Sequence, residues 1–232
     1  MSWKRHTLVD VSDAGRRAIL DELAGNCPGW RSYREKVARV LLPELAGARI
    51  PGIVRREDGP PREACVPVGF SDPRSTKGRR LRIAAFARLK DVAAVTSPYD
   101  VLSFPVPRRT ASTAALEVAK AKAASLGLVM GVWGSAAMEL YTGLPYIGQA
   151  SDLDLIVAAA PREKLSDFAW QIESIGERFG LRIDVEVDLT NGYGVQLKEL
   201  LGSGRTVLGK GISAVALFPR QQIVNELPQG DS

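Results

Sequence analysis

Apolar and polar positions follow two rhythms along the first half of this chain, and the change of rhythm divides it. Over residues 13–23 and 31–45, apolar side chains recur every three to four positions, the pattern of helices with one buried stripe. Ser12 stands as an N-cap to the first and Gly25 as its stop. In the second, Val37, Val40, Leu41 and Leu45 share a face, while Arg31, Arg34, Lys36 and Arg39 gather on the other. Pro43 bends or shortens that helix, because proline removes a helical donor. From residue 50 the rhythm changes to short β-type runs over 50–55, 64–70 and 81–87, parted by Gly59-Pro60-Pro61 and Asp72-Pro73. Residues 96–109 hold Pro98, Pro105 and Pro107 without a helical period and read as a linker.

The second half alternates elements. An alanine-rich helix over 110–126 ends at Gly127, and a buried-type strand over 128–133 follows. Gly134-Ser135 opens a short helix over 136–141, an apolar strand runs through 153–157, and a helix over 162–179 stops at Gly180. Residues 181–189, LRIDVEVDL, alternate most cleanly: Ile183, Val185 and Val187 point one way, and Asp184, Glu186 and Asp188 the other. A short helix over 195–201 and strand-like runs over 206–208 and 213–218 complete the chain. The pattern predicts an α+β protein with a smaller α+β module over 1–95, the linker over 96–109, and a larger domain with a mixed sheet over 110–232.

The candidate chemistry lies in the second domain. In a strand, residues two apart share a face, so Asp152 and Asp154 stand roughly 7 Å apart on one side, near enough to converge on a hard cation. Gly134-Ser135 opens a helix, where free N–H groups and the dipole favour an anion. A phosphate cradle beside paired carboxylates suits metal-assisted phosphoryl or nucleotidyl transfer. A third carboxylate completes such a site; Asp184, nearest the start of its strand, is the first candidate and Glu186 the second. Residues 204–210, GRTVLGK, imitate a P-loop, but Gly211 stands where Ser or Thr is required, and a strand pattern follows instead of a helix. Lys210 is retained as a point charge that contacts phosphate. The chain contains no Gly-x-Ser-x-Gly elbow, and nothing ties its single histidine, His6, to the carboxylates.

Charge narrows the partners. A net charge of +5 and a pI near 9.4 suit polyanions: nucleic acid, a phosphorylated small molecule or an acidic protein. The basic segment 74–82 lacks the interleaved aromatics of a single-strand nucleic-acid platform, so nucleic acid is not expected. With two cysteines, Cys27 and Cys65, and one histidine, a Cys/His zinc site is excluded, and the reduced pair of a cytoplasmic protein is the expectation. No apolar run approaches a membrane span, and residues 1–10 lack a signal core.

Gly134-Ser135 followed by Ser151-Asp152-Leu153-Asp154-Leu155 resembles the signature of the nucleotidyltransferase superfamily. Arg5-His6, Pro67-Val68-Gly69, the run from Gly134 to Leu155, and Asp184-Val185-Glu186 with Gly194 to Glu199 are similar to one branch. That branch is the malonate decarboxylase holo-acyl-carrier-protein synthases, also called phosphoribosyl-dephospho-CoA transferases. Thr7 and Val185 depart from its pattern. The resemblance implies a nucleotidyltransferase-like mixed sheet in the second domain. It implies transfer of phosphoribosyl-dephospho-CoA from 2′-(5″-triphosphoribosyl)-3′-dephospho-CoA to a serine of the acyl carrier subunit of malonate decarboxylase, with pyrophosphate leaving. It also implies Mg²⁺ on Asp152 and Asp154, the triphosphate at Gly134 and Ser135, and a third acid at Asp184 or Glu186. A nucleotidyltransferase acting on another hydroxyl acceptor and a non-catalytic binding module are the alternatives.

Overall fold

The computed structural model describes residues 3–26, 30–57, 60, 62–76, 79–107, 109–148 and 151–230. Cys27, Gly59, Pro61 and Lys77, named above, lie outside them. The chain forms an α+β fold of two compact units, Met1–Ser97 with Thr142–Tyr146, and Pro98–Tyr141 with Ile147–Ser232.

The first unit holds β1 (Leu8–Val11), α1 (Asp13–Asn26), α2 (Trp30–Leu41), α3 (Pro43–Ala46), β2 (Gly52–Val54), β3 (Cys65–Thr76), β4 (Arg79–Arg88) and β5 (Val92–Thr96). Its sheet is antiparallel throughout, in the order β4-β3-β2-β1-β5. Alternation gives it one apolar face: Val66, Val68 and Phe70 of β3 and Ile83, Ala85 and Ala87 of β4 are all buried, and α1 and α2 pack on these strands. Pro43 divides the second predicted helix. Leu42 is extended (φ −95, ψ 116), as the residue before proline prefers, and Pro43 starts α3 at a position where no N–H is needed. The sequence pattern left β1 as a short apolar stretch without an element and missed β5. Both are strands because they pair with each other, Leu8 with Thr96 and Val9 with Val95.

Arg16 on α1 is the unexpected member of this core. It is fully buried, and its guanidinium donates to the carbonyls of Val11 (2.7 Å) and Leu41 (3.1 Å) and to Asp10 Oδ1 (3.1 Å). One planar fork thus ties the end of β1 to the last turn of α2, satisfying carbonyls that the helix itself leaves open. Its charged form is disfavoured by burial and supported by Asp10.

The second unit holds α4 (Ala111–Ser125), β6 (Met130–Trp133), α5 (Gly134–Thr142), β7 (Leu153–Ala158), α6 (Arg162–Phe179), β8 (Ile183–Asp188), β9 (Gly194–Gln196), α7 (Leu197–Leu201), β10 (Thr206–Lys210), β11 (Val215–Pro219) and α8 (Arg220–Asn225). The sheet order is β11-β10-β9-β8-β7-β6. Only β7 and β8 run parallel, as a pair joined through a crossover helix, α6, must. Leu153, Leu155 and Val157 on β7 and Ile183, Val185 and Val187 on β8 are buried on one face. Leu165, Phe168, Ile172 and Ile175 give α6 its own buried stripe. Gly180, at φ 62, ends α6 in the left-handed conformation that glycine adopts without strain.

Two details differ from the pattern. Val195 and Gln196 are extended rather than helical, because they pair with Val187 and Glu186, so α7 begins only at Leu197. The last described helix, α8, was not expected. Pro98 lies against the sheet: its carbonyl accepts the Val132 N–H at 3.0 Å, and a Cβ on Gly131 would stand 2.8 Å from it. No described helix is long and apolar enough to cross a membrane.

Arg16→Ala strands buried carbonyls and Asp10, and is expected to cost about 3–5 kcal/mol. Chemical denaturation reads this as a lower midpoint at unchanged m-value; an unchanged midpoint would show that the clamp carries no stability.

Candidate active site

The face of the second sheet opposite its buried residues is acidic, and strand register assembles it. Asp154 on β7 stands beside Asp184 on β8 and opposite Trp133 at the end of β6. Along β8 the alternation continues through Glu186 and Asp188, which face Gln196 and Gly194 of β9. Gly194 in turn pairs with Lys210 of β10. Asp152 lies one residue before β7 begins, so it reaches the site from the strand's entry rather than from within it.

Each acid on β8 has its own partner. Arg182 holds Asp184 by two hydrogen bonds, one from Nε to Oδ1 at 3.1 Å and one from Nη2 to Oδ2. Glu186 is buried, and Lys210 Nζ stands 3.7 Å from its Oε1. The Tyr99 hydroxyl donates to Asp188 Oδ2 at 3.1 Å; burial and the neighbouring carboxylate keep that phenol protonated well beyond its usual range. Asp154 differs: among the described residues it has no hydrogen bond or ion pair. Burial, followed by the charges of Asp184, Asp152 and Glu186, pushes its carboxyl up to about 7, with Arg182 pulling the other way.

Gly134 is fitted to this carboxyl. It opens α5 at φ 67, and a Cβ there would collide with Asp154 Oδ2, so only glycine admits both the turn and the acid. The Gly-Ser turn and the Asp-x-Asp strand, twenty residues apart in sequence, meet here because β6 and β7 pair with Trp133 opposite Asp154.

The structure therefore gathers Gly134, Asp154 and Asp184 by pairing and direct approach, and brings Asp152 to the same cluster through Arg182, whose Nη1 is 3.8 Å from Asp152 Oδ2. Arg182 is solvent-exposed, and these acids, Asp184 foremost, hold its guanidinium above its ordinary value. Lys210 stands two strands from β8 and is engaged with Glu186. His6 is buried in the other unit at φ 67. Among the described residues, no three His, Cys, Asp or Glu side chains are arranged as metal ligands. Arg182 stands within ion-pair distance of the carboxylates of both Asp184 and Asp152. Sequence reasoning missed Arg182 and Tyr99. Arg182 had a signal, since it sits two residues before Asp184 on the same strand face; Tyr99 had none, since its contact spans 89 positions.

The family described as "Phosphoribosyl-dephospho-CoA transferase MdcG C-terminal domain" matches residues 101–221, and "Phosphoribosyl-dephospho-CoA transferase MdcG N-terminal domain" matches residues 4–98. A phosphoribosyl-dephospho-CoA transferase of Bradyrhizobium diazoefficiens is 30% identical over 224 residues, 95% of this chain and 92% of that protein. One of Xanthomonas campestris pv. campestris (strain 8004) is 31% identical over 193 residues, 82% of this chain and 88% of that protein. One of Pseudomonas aeruginosa is 36% identical over 104 residues, 45% of this chain and 49% of that protein. No solved structure matches the chain.

A carboxyl whose folded value is raised from 3.8 to about 7 favours the neutral form in the native state. Its contribution to stability is full at low pH and declines as pH rises from about 4 to about 7. Thermal unfolding of metal-free protein should show Asp154→Asn gaining on the parent across that window and holding a constant lead above it. A lead that does not vary with pH would remove Asp154 as the strained group.

Proposed function

The chain belongs to the phosphoribosyl-dephospho-CoA transferase family, and from that premise we propose that it is a nucleotidyltransferase that modifies a carrier protein. The donor is 2′-(5″-triphosphoribosyl)-3′-dephospho-CoA. The acceptor is a serine of the acyl carrier subunit of malonate decarboxylase. The serine oxygen attacks the phosphorus attached to the ribose. A P–O bond forms there, the bond to the outer two phosphates breaks, and pyrophosphate leaves. The product is a phosphodiester, and the serine proton passes to a carboxylate.

The observation that carries this reading is the half-buried Asp154 beside Asp184, under the Gly134 turn. The donor set is all carboxylate oxygen, which suits Mg²⁺. Burial first, and the neighbouring acids after it, raise the carboxyl of Asp154, and a bound cation would offset both. Asp152, Asp154 and Asp184 would hold Mg²⁺, with Asp184 and Asp152 turning from Arg182 to do so. When bound, the ion would neutralise charge on the transferred phosphoryl group. Gly134 and Ser135 offer backbone donors at the start of α5 to the triphosphate. Arg182, released from the acids, is a counter-charge for the departing pyrophosphate.

The geometry favours Asp184 over Glu186 as the third acid. Asp184 is the register neighbour of Asp154, whereas Glu186 is buried beside Ile156 and engaged by Lys210. Lys210, expected to contact phosphate, stands 3.7 Å from Glu186 Oε1.

Intact mass of the acyl carrier subunit, incubated with donor, Mg²⁺ and this protein, tests the reading. The expected gain is one phosphoribosyl-dephospho-CoA group. Asp152→Asn and Asp184→Asn should lose at least about 100-fold in rate while folding normally, and Glu186→Gln should keep most of its rate. A folded parent that binds nucleotide but leaves the carrier unmodified would overturn the acceptor; full turnover by Asp152→Asn would overturn the metal site.

A further inference from the structure

The two units differ in charge. Unit one carries 19 lysines and arginines against 11 acids, a net of +8; unit two carries 12 against 15, a net of −3, which together give the +5 of the chain. The proposed catalytic acids thus lie in a negative unit, and the surplus of positive charge lies entirely in the other.

Part of that surplus sits on one sheet face. Strand β4, RRLRIAAFAR, holds four arginines and no acid, and it is the outer strand of its sheet. Ile83, Ala85 and Ala87 turn inward to the core, so alternation puts Arg82, Ala84, Phe86 and Arg88 on the opposite face. Their partners on β3 are Ser71, Gly69, Pro67 and Cys65. Ala84 is exposed in the middle of this face, and the Arg55 side chain lies over Gly69, its Cδ 3.8 Å from where a Cβ would stand. Arg62 lies over the Phe86 ring with its Cζ 4.2 Å from the centroid, and Arg55 with its Cζ at 5.9 Å. Arg82 is exposed and, among the described residues, has no ion-pair partner. Arg88 and Arg62 are about half exposed, each held by one acid, Asp91 and Glu22.

We propose that this arginine-rimmed face of the first unit, around Phe86, docks the carboxylate-rich surface of the protein acceptor. The inference rests on the carrier-modifying function above and adds the surface that recognises the carrier. Charge complementarity is its argument. Keeping an edge strand from pairing with another needs charge of either sign, whereas every charged residue of β4 itself is an arginine. Arg82 and Arg88 lie six positions apart, roughly 20 Å of strand, with Phe86 and the arginines over its ring between them. That span exceeds the reach of one triphosphate chain and suits a row of acids on a folded partner; the donor KM separates such a partner from the two phosphate groups of the donor. Arginine stacked on an aromatic ring, beside small residues that admit close approach, is also what anchors protein interfaces. Charge at such a face acts on encounter with the carrier and leaves the chemical step alone.

The test is Arg82→Glu, with Arg88→Glu as a second variant and Arg109→Glu, an exposed reversal in the other unit, as control. Initial rates are measured with carrier and donor varied in turn. The expected result is a carrier KM raised by about five-fold or more in both β4 variants, with kcat and donor KM unchanged. The carrier KM of the parent should also rise with salt more steeply than that of Arg82→Glu. The control should match the parent, and far-ultraviolet circular dichroism should show all variants folded. An unchanged carrier KM in folded Arg82→Glu overturns the surface while leaving the function standing. A raised donor KM instead reassigns the face to the donor's phosphates and overturns the proposal. A parent that modifies no carrier overturns both readings together.

Discussion

Crowded carboxylates are the constraint from which the second unit is built. Parallel pairing of β7 and β8 sets Asp154 beside Asp184, and strand alternation adds Glu186 and Asp188 behind them. Like charges so near one another in a half-buried setting cannot all ionise without compensation. The fold answers three times with a dedicated partner, Arg182, Lys210 and Tyr99, and leaves Asp154 without one among the described residues. A structure that satisfies three acids and not the fourth concentrates its electrostatic strain at one atom group. Strain of that kind is tolerated where something else supplies the charge.

Both sheets are one-faced, and this explains what the sequence made readable. In LRIDVEVDL the apolar residues reach the core and the acids the opposite face, so the period of two stands out. The helices 13–23 and 162–179, the Gly180 stop and the division at Pro43 were legible for similarly local reasons: stripe, cap and missing donor. The edge strand β5 was not. Its middle residues Ala93, Ala94 and Val95 are all exposed, so no buried alternation marks it, and only its pairing with β1 makes it a strand. Val195 and Gln196 were misread as the start of α7, while long-range pairing with Val187 and Glu186 holds them extended.

The site divides along the same line. That Asp-x-Asp and an alternating acidic strand share a sheet is local information. Which acid of the second strand neighbours Asp154 is not, since register belongs to the pair of strands and not to either alone. The sequence order offered Asp184 first for lying near its strand's start, whereas the structure supplies a different reason, one-to-one register with Asp154. Arg16 shows the same limit in the first unit. An arginine in an amphipathic helix reads as a solvated charge, yet Arg16 is buried because three acceptors from β1 and α2 converge where its fork can reach.

Gly134 joins the two halves of the argument. Its missing side chain admits the Asp154 carboxyl, and its positive φ turns the chain from β6 directly into α5, so the carboxyl and the first free N–H groups of a helix are set side by side by one residue. Those two groups have opposite electrostatic appetites. The acid calls for a cation, and the helix start calls for an anion. Neither need is met by the other, since the Asp154 carboxyl lies beside the turn and is held up by burial and by the neighbouring acids despite Arg182. A cation carrying its own anionic ligand meets both needs at once, and a metal-bound polyphosphate is the simplest species of that description. The pairing of a glycine turn with an Asp-x-Asp strand is therefore more specific than either motif alone, because the two are in contact through the one atom that glycine lacks.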